Sequence, residues 1–171
     1  MKDALLETKR LLFRRMTEDD WEEVAAMLQD ERVMAAWEHA FTDDEVTEWI
    51  KKQERCYLED KLGYLLAVEK ATGRVVGQMG LHLCIVNQEQ VVEVCYMLKH
   101  DCFGQGFAFE GAKALIAYAK HRLGVDSVYA LIKYNNFPSI AVAEKLGMKK
   151  IGSLMKVYRG KEMEHGIYVI S

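Results

Sequence analysis

The fold is decided by the strand-like stretch Val92-Glu93-Val94-Cys95-Tyr96-Met97-Leu98 and by the loop Phe103-Gly104-Gln105-Gly106-Phe107-Ala108 that soon follows it. The loop carries two glycines and opens into a segment whose apolar residues recur at helical spacing. Glycines let backbone N–H groups converge without obstruction by a Cβ atom. A helix N-terminus adds unpaired donors and the positive end of a dipole. The pattern therefore predicts a strand-loop-helix unit that binds a phosphate or pyrophosphate.

A two-glycine loop is, by itself, also typical of a tight strand-to-helix connection that binds nothing. A dinucleotide-binding fingerprint would need a third glycine at position 109, where Phe109 stands. A Walker loop would need Gly-Lys-Ser or Gly-Lys-Thr, and the sequence contains neither. The loop alone leaves a phosphate site and a structural turn open.

On either side of this segment, hydrophobic patterns predict strands separated by helices. Helices are expected after caps at Thr17 and Thr42, with a less periodic helical segment at residues 31–40. The expected strands are residues 9–16, 64–68, 75–85, 91–98, 128–133, 151–158 and 163–170, and the later helices are residues 108–123 and 139–146. This order predicts an α+β fold with a mixed, mostly antiparallel central sheet of about seven strands flanked by helices. The length of 171 residues suits a single domain over residues 1–171.

A second informative segment, Asn135-Asn136-Phe137-Pro138-Ser139, ends one expected strand and opens the helix that closes with Glu144-Lys145-Leu146-Gly147-Met148. Ser139 alone is compatible with a helix N-cap, and Asn136 with a turn residue. Together with the glycine loop, the segment resembles the GNAT superfamily of N-acetyltransferases, and in particular the ribosomal-protein N-terminal acetyltransferases of the RimJ/RimL type. The opening Thr8-Lys9-Arg10-Leu11-Leu12-Phe13-Arg14 is similar to the first strand of that branch, so the resemblance runs over about residues 8–170.

The resemblance implies an enzyme that moves an acetyl group from acetyl-CoA to a primary amine by direct attack. It implies that Phe103, Gly104, Gln105, Gly106, Phe107 and Ala108 bind the cofactor's pyrophosphate, and that Asn136 contacts the pantetheine arm. A backbone N–H of Met97 or Leu98 is expected to hold the thioester oxygen. Glu93 is the expected general base, and Ser139 is expected to bind the cofactor's sulfur or to relay a proton to it. The resemblance further implies a possible homodimer through the final strands.

Two positions depart from the family pattern. Asp101 stands three residues before the first glycine, where the family usually has Gln or Arg, which puts charge complementarity to the phosphates in question. Ala143 stands seven residues after the asparagine, where many relatives have a tyrosine that protonates the departing thiolate. The acid must then come from elsewhere, as is common in the RimJ/RimL-type branch.

The acceptor amine stays open between a peptide or protein N-terminus and a small molecule. Trp37 and His39, in the less periodic stretch, and Glu93 are the expected substrate-side residues. Two other classes of protein remain in competition: a non-catalytic acyl-CoA-binding module, and a structural domain whose glycine loop is only a turn. An intact set of Glu93, Asn136 and Ser139 favours catalysis over the first, and the agreement of both segments argues against the second.

Composition limits the partners. The formal net charge is −3 and the pI is about 6.0, so neither nucleic acid nor a membrane is the expected partner. Charged residues within Met1–Glu7 replace the apolar stretch of a signal peptide, which favours a cytoplasmic protein. The four cysteines lack zinc-site spacing, so we expect free thiols and no metal, with Cys95 buried and Cys102 accessible in its loop.

Overall fold

A computed structural model describes residues 4–171, and this part of the chain forms eight strands and four α-helices. The strands are β1 (Leu6–Glu7), β2 (Leu11–Arg15), β3 (Gly63–Glu69), β4 (Val75–Val86), β5 (Glu89–Leu98), β6 (Val128–Lys133), β7 (Lys149–Tyr158) and β8 (Lys161–Ile170). The helices are α1 (Trp21–Leu28), α2 (Asp43–Glu59), α3 (Phe107–Arg122) and α4 (Phe137–Lys145). The α+β prediction is confirmed, and the two-residue β1 adds one strand to the seven expected.

All eight strands join in one sheet, in the order β1-β2-β3-β4-β5-β6-β8-β7. Neighbouring strands are antiparallel except β5 and β6, which are parallel. The predicted mostly antiparallel sheet is therefore confirmed. The hairpin between β4 and β5 turns at Asn87 and Gln88, with φ angles of 50° and 69°. Positive φ at both central residues is the geometry of a type I′ turn, whose twist suits a two-residue hairpin.

Helices cover both faces of the sheet, and each face has its own hydrophobic core. On one face, Phe107 and Leu115 of α3 pack into a cluster with strand residues such as Phe13 and Val94. Gly111 permits this close packing, since a Cβ there would lie 2.3 Å from the Met79 sulfur. On the other face, α1 and α2 bury a second cluster that includes Val24, Leu28, Val46, Ile50 and Met97. β5 thus runs between two packed layers.

A local sequence signal accounts for the start of α2. Thr42 and Glu45 form the predicted capping box of α2: the Glu45 N–H donates to Thr42 Oγ1 at 3.3 Å, and the Thr42 N–H donates to Glu45 Oε2 at 2.8 Å. The predicted helix over residues 31–40 is wrong, because only a short 3₁₀ turn forms at Met34–Trp37. Glu38 ends that turn in a left-handed conformation with φ of 55°.

Candidate active site

The strands β5 and β6 part in the middle of the sheet. Their pairing consists of Val92 with Val128 and Glu93 with Tyr129, although both strands continue for several residues beyond. β5 keeps its partner on the other side throughout, because β4 pairs with it from Val86–Glu89 to Gly77–Leu98. The result is a gap in the sheet beside the C-terminal half of β5.

This gap leaves backbone donors of β5 without a neighbouring strand. The Lys99 N–H donates to the Val76 carbonyl at 2.9 Å, which is the side of β4. Successive residues of a strand direct their backbone groups to opposite neighbours. The Leu98 N–H therefore points toward the gap, whereas the Met97 N–H points toward β4. Of the two donors that the family resemblance implies, the Leu98 N–H is therefore the one directed toward the gap.

The glycine loop follows β5 and begins α3. Gly104 and Gly106 both have left-handed φ angles, 74° and 80°, and Gly106 is the residue immediately before the helix. L-residues with a side chain adopt this conformation only at a cost, so the backbone path needs glycine at both positions. A Cβ at Gly104 would meet nothing within 4 Å, which leaves that side of the loop open to a ligand. The first N–H groups of α3 lie at the same place.

A cleft of about 570 Å³ lies between this loop and α4, and we call it the loop-side cleft. Predicted cofactor residues form much of its lining: Met97, Leu98, Phe103, Gly104, Gly106, Ala108, Asn136 and Ser139. Gln105 and Phe107 lie in the same loop but do not line the cleft. The Phe107 side chain is buried in the core, and the Gln105 side chain donates back to the Asp101 carbonyl at 3.0 Å.

Two basic side chains, Arg10 and Lys145, lie beside the loop. Arg10 donates through Nη1 to the Gln105 carbonyl at 3.0 Å, and one of its other nitrogens lies 3.4 Å from where a Gly106 Cβ would stand. Lys145 of α4 lines the loop-side cleft, with its Nζ 4.5 Å from the Phe109 ring centre. The acidic Asp101 is paired with Arg74, so its charge is compensated beside the loop. Arg10 is paired in the same way, with its Nε 2.6 Å from Glu110 Oε2, so Lys145 is the one of these basic side chains that has no carboxylate of the described chain at ion-pair distance.

The start of α4 differs from the prediction. The helix begins at Phe137 rather than at Ser139, because Asn136 is its N-cap and accepts the Ser139 N–H through Oδ1 at 3.5 Å. The Ser139 carbonyl accepts a hydrogen bond from the Tyr96 hydroxyl at 2.8 Å. Burial raises the pKa of Tyr96, so the hydroxyl keeps its proton. This contact fixes α4 against β5 on the far side of the gap.

A second cavity of about 360 Å³ opens on the α2 side of the gap, and we call it the sheet-side cavity. Five residues line both spaces, so the two meet at the gap: Ala36, Trp37, Tyr96, Asn136 and Ser139. Aromatic and basic side chains dominate the rest of the lining, including Trp49, Lys52, Tyr64, His82, Lys133, Lys156, Tyr158 and His165. Glu93 is the one acidic residue of this lining within the described part of the chain.

Glu93 sits where β5 and β6 separate. Its side chain is 9% exposed, and Oε1 accepts the Leu131 N–H of β6 at 3.3 Å. Because β4 and β5 are in register, Glu93 lies directly opposite His82. A buried carboxylate at the junction of the two spaces is in position to accept a proton from a group in the sheet-side cavity.

The two other predicted substrate-side residues are separated by the structure. Trp37 lines both the loop-side cleft and the sheet-side cavity. His39 lines neither, and its Nε2 lies 2.8 Å from Glu45 Oε2 near the start of α2. Tyr96 was missed as a site residue, although it stands in the strand that first indicated the site. Its position on that strand, just before the glycine loop, was the available signal.

The cysteines show no arrangement for covalent catalysis. All four are free thiols; Cys102 is buried rather than accessible, and Cys95 is half-buried. Burial raises the pKa of Cys95 and of Cys102, which disfavours the reactive thiolate. Among residues 4–171 we find no cluster of three or more His, Cys, Asp or Glu side chains that could hold a metal. No helix within these residues is both long and apolar enough to cross a bilayer.

Comparison with known proteins agrees with this geometry. Residues 10–149 match the acetyltransferase (GNAT) domain family. An uncharacterized N-acetyltransferase of Bacillus licheniformis, p20, is 27% identical over 169 residues, covering 97% of this chain and 94% of the relative. The chain therefore belongs to the GNAT family and is an acetyl-CoA-dependent N-acetyltransferase.

Solved structures show the same fold. A GNAT-family acetyltransferase from Bacillus anthracis superposes with a TM-score of 0.82 at 23% identity, covering 96% of each chain. A ribosomal-protein-S5-alanine acetyltransferase from Vibrio fischeri superposes with a TM-score of 0.77 at 18% identity, covering 98% of this chain and 96% of the other. The predicted resemblance to the ribosomal-protein acetyltransferases is thus confirmed for the fold.

Proposed function

We propose that acetyl-CoA occupies the loop-side cleft, that a primary amine occupies the sheet-side cavity, and that the acetyl group is transferred between them at the gap beside β5. One observation carries this proposal: the two spaces meet at the gap, with the glycine loop beside one and Glu93 beside the other. A direct transfer needs the thioester and the nitrogen to meet in one place, and the gap provides it.

The glycine loop is the proposed pyrophosphate site. Its left-handed glycines and the free N–H groups of α3 converge on one side, where a dipole end favours negative charge. Lys145 adds positive charge at the rim, and Arg10, which is paired with Glu110, supports the loop through its hydrogen bond to the Gln105 carbonyl. Asn136 lies further along the same cleft, where the pantetheine arm would pass toward the gap. We propose no metal in this chemistry.

The proposed reaction begins with loss of a proton from the acceptor ammonium to Glu93, directly or through one water. The neutral nitrogen forms a bond to the acetyl carbon, and the carbonyl oxygen gains the negative charge. The Leu98 N–H points into the gap and is the proposed donor to that oxygen. The carbonyl then re-forms as the C–S bond breaks and CoA leaves as a thiolate. The nitrogen, which became positively charged on attack, loses its second proton, and the thiolate takes up one proton to leave as the free thiol.

Ser139 is the proposed hydrogen-bond partner of the departing sulfur. It lines both spaces, and its backbone is held by Asn136 on one side and by Tyr96 on the other. A serine hydroxyl is a weak acid, so its role is to relay a proton or to stabilise the thiolate. Ala143 supplies no acid, because its methyl group has no ionisable proton, and it is fully buried in the core.

The acceptor class follows from neither the family nor the fold. The Vibrio fischeri neighbour is a ribosomal-protein-S5-alanine acetyltransferase, and a peptide N-terminus is one candidate here. A small-molecule amine is the other candidate. A homodimer is also proposed, through β7 at the edge of the sheet, where Ile151, Met155 and Val157 are exposed.

The alternative is a non-catalytic acyl-CoA-binding module, and turnover distinguishes the two. The purified protein is incubated with acetyl-CoA and a set of primary amines, and released thiol is measured beside the mass of the acetylated product. We expect equal amounts of released thiol and acetylated amine, and a lower rate of formation of both in Glu93→Gln. Acetyl-CoA binding without turnover on any peptide or small amine would favour the binding module.

A further inference from the structure

The sheet-side cavity has an unusual balance of charge. Three lysines line it, Lys52, Lys133 and Lys156, against the single carboxylate of Glu93. Lys133 is neutralised, because its Nζ lies 3.0 Å from Glu38 Oε2. Within residues 4–171, neither Lys52 nor Lys156 has a carboxylate at ion-pair distance. Two lysines without a carboxylate partner among the described residues therefore belong to this lining, Lys52 from α2 and Lys156 from β7.

Gln53, the next residue after Lys52, adds an unused donor. It is 0% exposed, and its Oε1 accepts the Tyr64 N–H at 2.9 Å. That bond fixes the orientation of the amide, since the opposite orientation would place two donors against each other. Gln53 Nε2 is then buried without any partner, in a residue that lines the cavity. A buried donor of this kind is costly unless something accepts its hydrogen bonds.

His82 lies on the same side of the cavity. Its Nε2 is also buried without a partner, and its ring lies 4.6 Å from that of Tyr64. His82 and Glu93 face each other across β4 and β5, so their Cβ atoms lie roughly 5 Å apart. Glu93, the proposed proton acceptor, therefore lies close to His82 in the polar wall of the cavity.

We infer that the acceptor is a primary amine that also carries a carboxylate, with its nitrogen at Glu93 and its carboxylate between Lys52, Gln53 and Lys156. This inference rests on the proposed transfer function and deepens it. A carboxylate supplies the acceptor atoms that Gln53 lacks and neutralises the lysines. Polyamines and other polycationic amines are repelled by the same lysines, with only Glu93 to offset them.

A free amino acid and a peptide with an acidic side chain both carry an amine and a carboxylate, and matched pairs of acceptors distinguish them. Free α-amino acids with small, long and aromatic side chains are each compared with their carboxamides, which lack the negative charge. Short peptides with Asp or Glu at the second position are compared with peptides that carry Asn or Gln there. The carboxylate is expected to raise kcat/KM at least about 10-fold in one arm, in line with the strength of charge-assisted hydrogen bonds.

Variants assign the effect to the cavity. Lys52→Gln and Lys156→Gln should each raise KM for the carboxylated acceptor about 10-fold and leave kcat and the dissociation constant of acetyl-CoA near their original values. The variant that carries both substitutions should have the same kcat/KM for the carboxylated acceptor and for its carboxamide. Lys51→Gln is the matched control, because Lys51 is the neighbouring residue on α2, does not line the cavity and pairs with Glu48. It should change nothing.

The outcomes separate the inference from the proposed function. Turnover of carboxamides or diamines as fast as of the acids, or a double variant that keeps the preference for acids, would overturn the inference and leave the transferase standing. Absence of turnover in every arm, with acetyl-CoA still bound in a titration, would overturn the transfer function and the inference together.

Discussion

Glu93 and Tyr129 form the last residue pair that joins β5 to β6, and the two strands separate immediately beyond it. The carboxylate of Glu93 then accepts the Leu131 N–H, a backbone donor of β6 that β5 no longer reaches. One residue thereby ends the parallel pairing and stands at the opening that follows. The gap and the open side of the Leu98 N–H result from this separation, and the proposed base, Glu93, lies where it begins.

Replacement of Glu93 tests the proposed base. Glu93→Gln keeps the shape of the side chain and an oxygen for the Leu131 N–H but removes the proton acceptor. We expect kcat to fall about 100-fold or more, the range for loss of a general base, with the affinity for acetyl-CoA unchanged. The rate of thiol release gives kcat, and a titration with acetyl-CoA gives the affinity. Glu89→Gln, at the exposed start of the same strand, is the control and should retain full activity. Unchanged turnover in Glu93→Gln would remove Glu93 as base.

The glycine loop is tested by Gly106→Val. Gly106 has φ of 80°, where a side chain costs about 1–2 kcal/mol, and a branched side chain would crowd the face where the pyrophosphate is proposed. We expect acetyl-CoA affinity to fall at least about 10-fold, measured by calorimetry. Gly160→Val places the same side chain at φ of 76° in the β7–β8 turn, where a Cβ meets nothing within 4 Å. This control should lose stability but keep the affinity; equal affinity in both folded variants would refute the loop assignment.

Ser139→Ala tests the partner of the departing thiolate. The substitution leaves the backbone bonds to Asn136 and Tyr96 in place, so α4 should stay where it is. We expect kcat to fall about 10-fold with acetyl-CoA affinity retained, because the hydroxyl acts only as the C–S bond breaks. The value of kcat is measured for both proteins with the same acceptor amine at saturating acetyl-CoA. Ser153→Ala, on an exposed part of β7, is the control. Were kcat to stay level and only KM to rise, Ser139 would be a binding residue instead.

His82 predicts a pH dependence of stability. Burial, with a smaller contribution from Lys52, lowers the pKa of His82 from 6.5 to about 4. The unfolded chain therefore binds a proton that the folded chain does not, so stability from the neutral imidazole is present above pH 6.5 and is lost as the pH falls toward 4. The loss is on the order of 3 kcal/mol at most, from about 1.4 kcal/mol for each unit. Urea unfolding at pH 7 and pH 4.5 measures it.

His82→Gln should lose less stability than the original protein over the same pH interval, since glutamine does not titrate. His121→Gln, at an exposed position on α3, should keep the full dependence. Identical acid sensitivity of His82→Gln and the unsubstituted chain would show that the titrating group lies elsewhere.

Local chemistry explains which parts of the structure were predictable from the sequence. The capping box of Thr42 and Glu45 lies within four residues, and α2 begins where it predicts. The glycine loop was recognisable because Gly104 and Gly106 are needed for backbone reasons alone. By local pattern alone, Ser139 was compatible with a helix N-cap and Asn136 with a turn residue. The structure places the cap at Asn136, with Pro138 in the first turn, where a proline needs no donor.

The features that needed the structure depend on distant parts of the chain. The separation of β5 from β6 involves strands joined through α3, and no local pattern marks where their pairing ends. Gln53 and His82 meet in one cavity from α2 and β4, and each alone resembles an ordinary helix or strand residue. Cys102 lies in a loop, yet it is 1% exposed because the loop packs against the core.

The most direct test of the acetyl-CoA site is a calorimetric titration of the purified protein with acetyl-CoA, beside ATP and NAD. We expect saturable binding of acetyl-CoA at one site per chain, lost in Gly106→Val and kept in Gly160→Val, with no comparable binding of the two nucleotides. Absence of acetyl-CoA binding in protein shown to be folded, or equal binding of all three ligands, would contradict the assignment of the loop-side cleft to the acetyl donor.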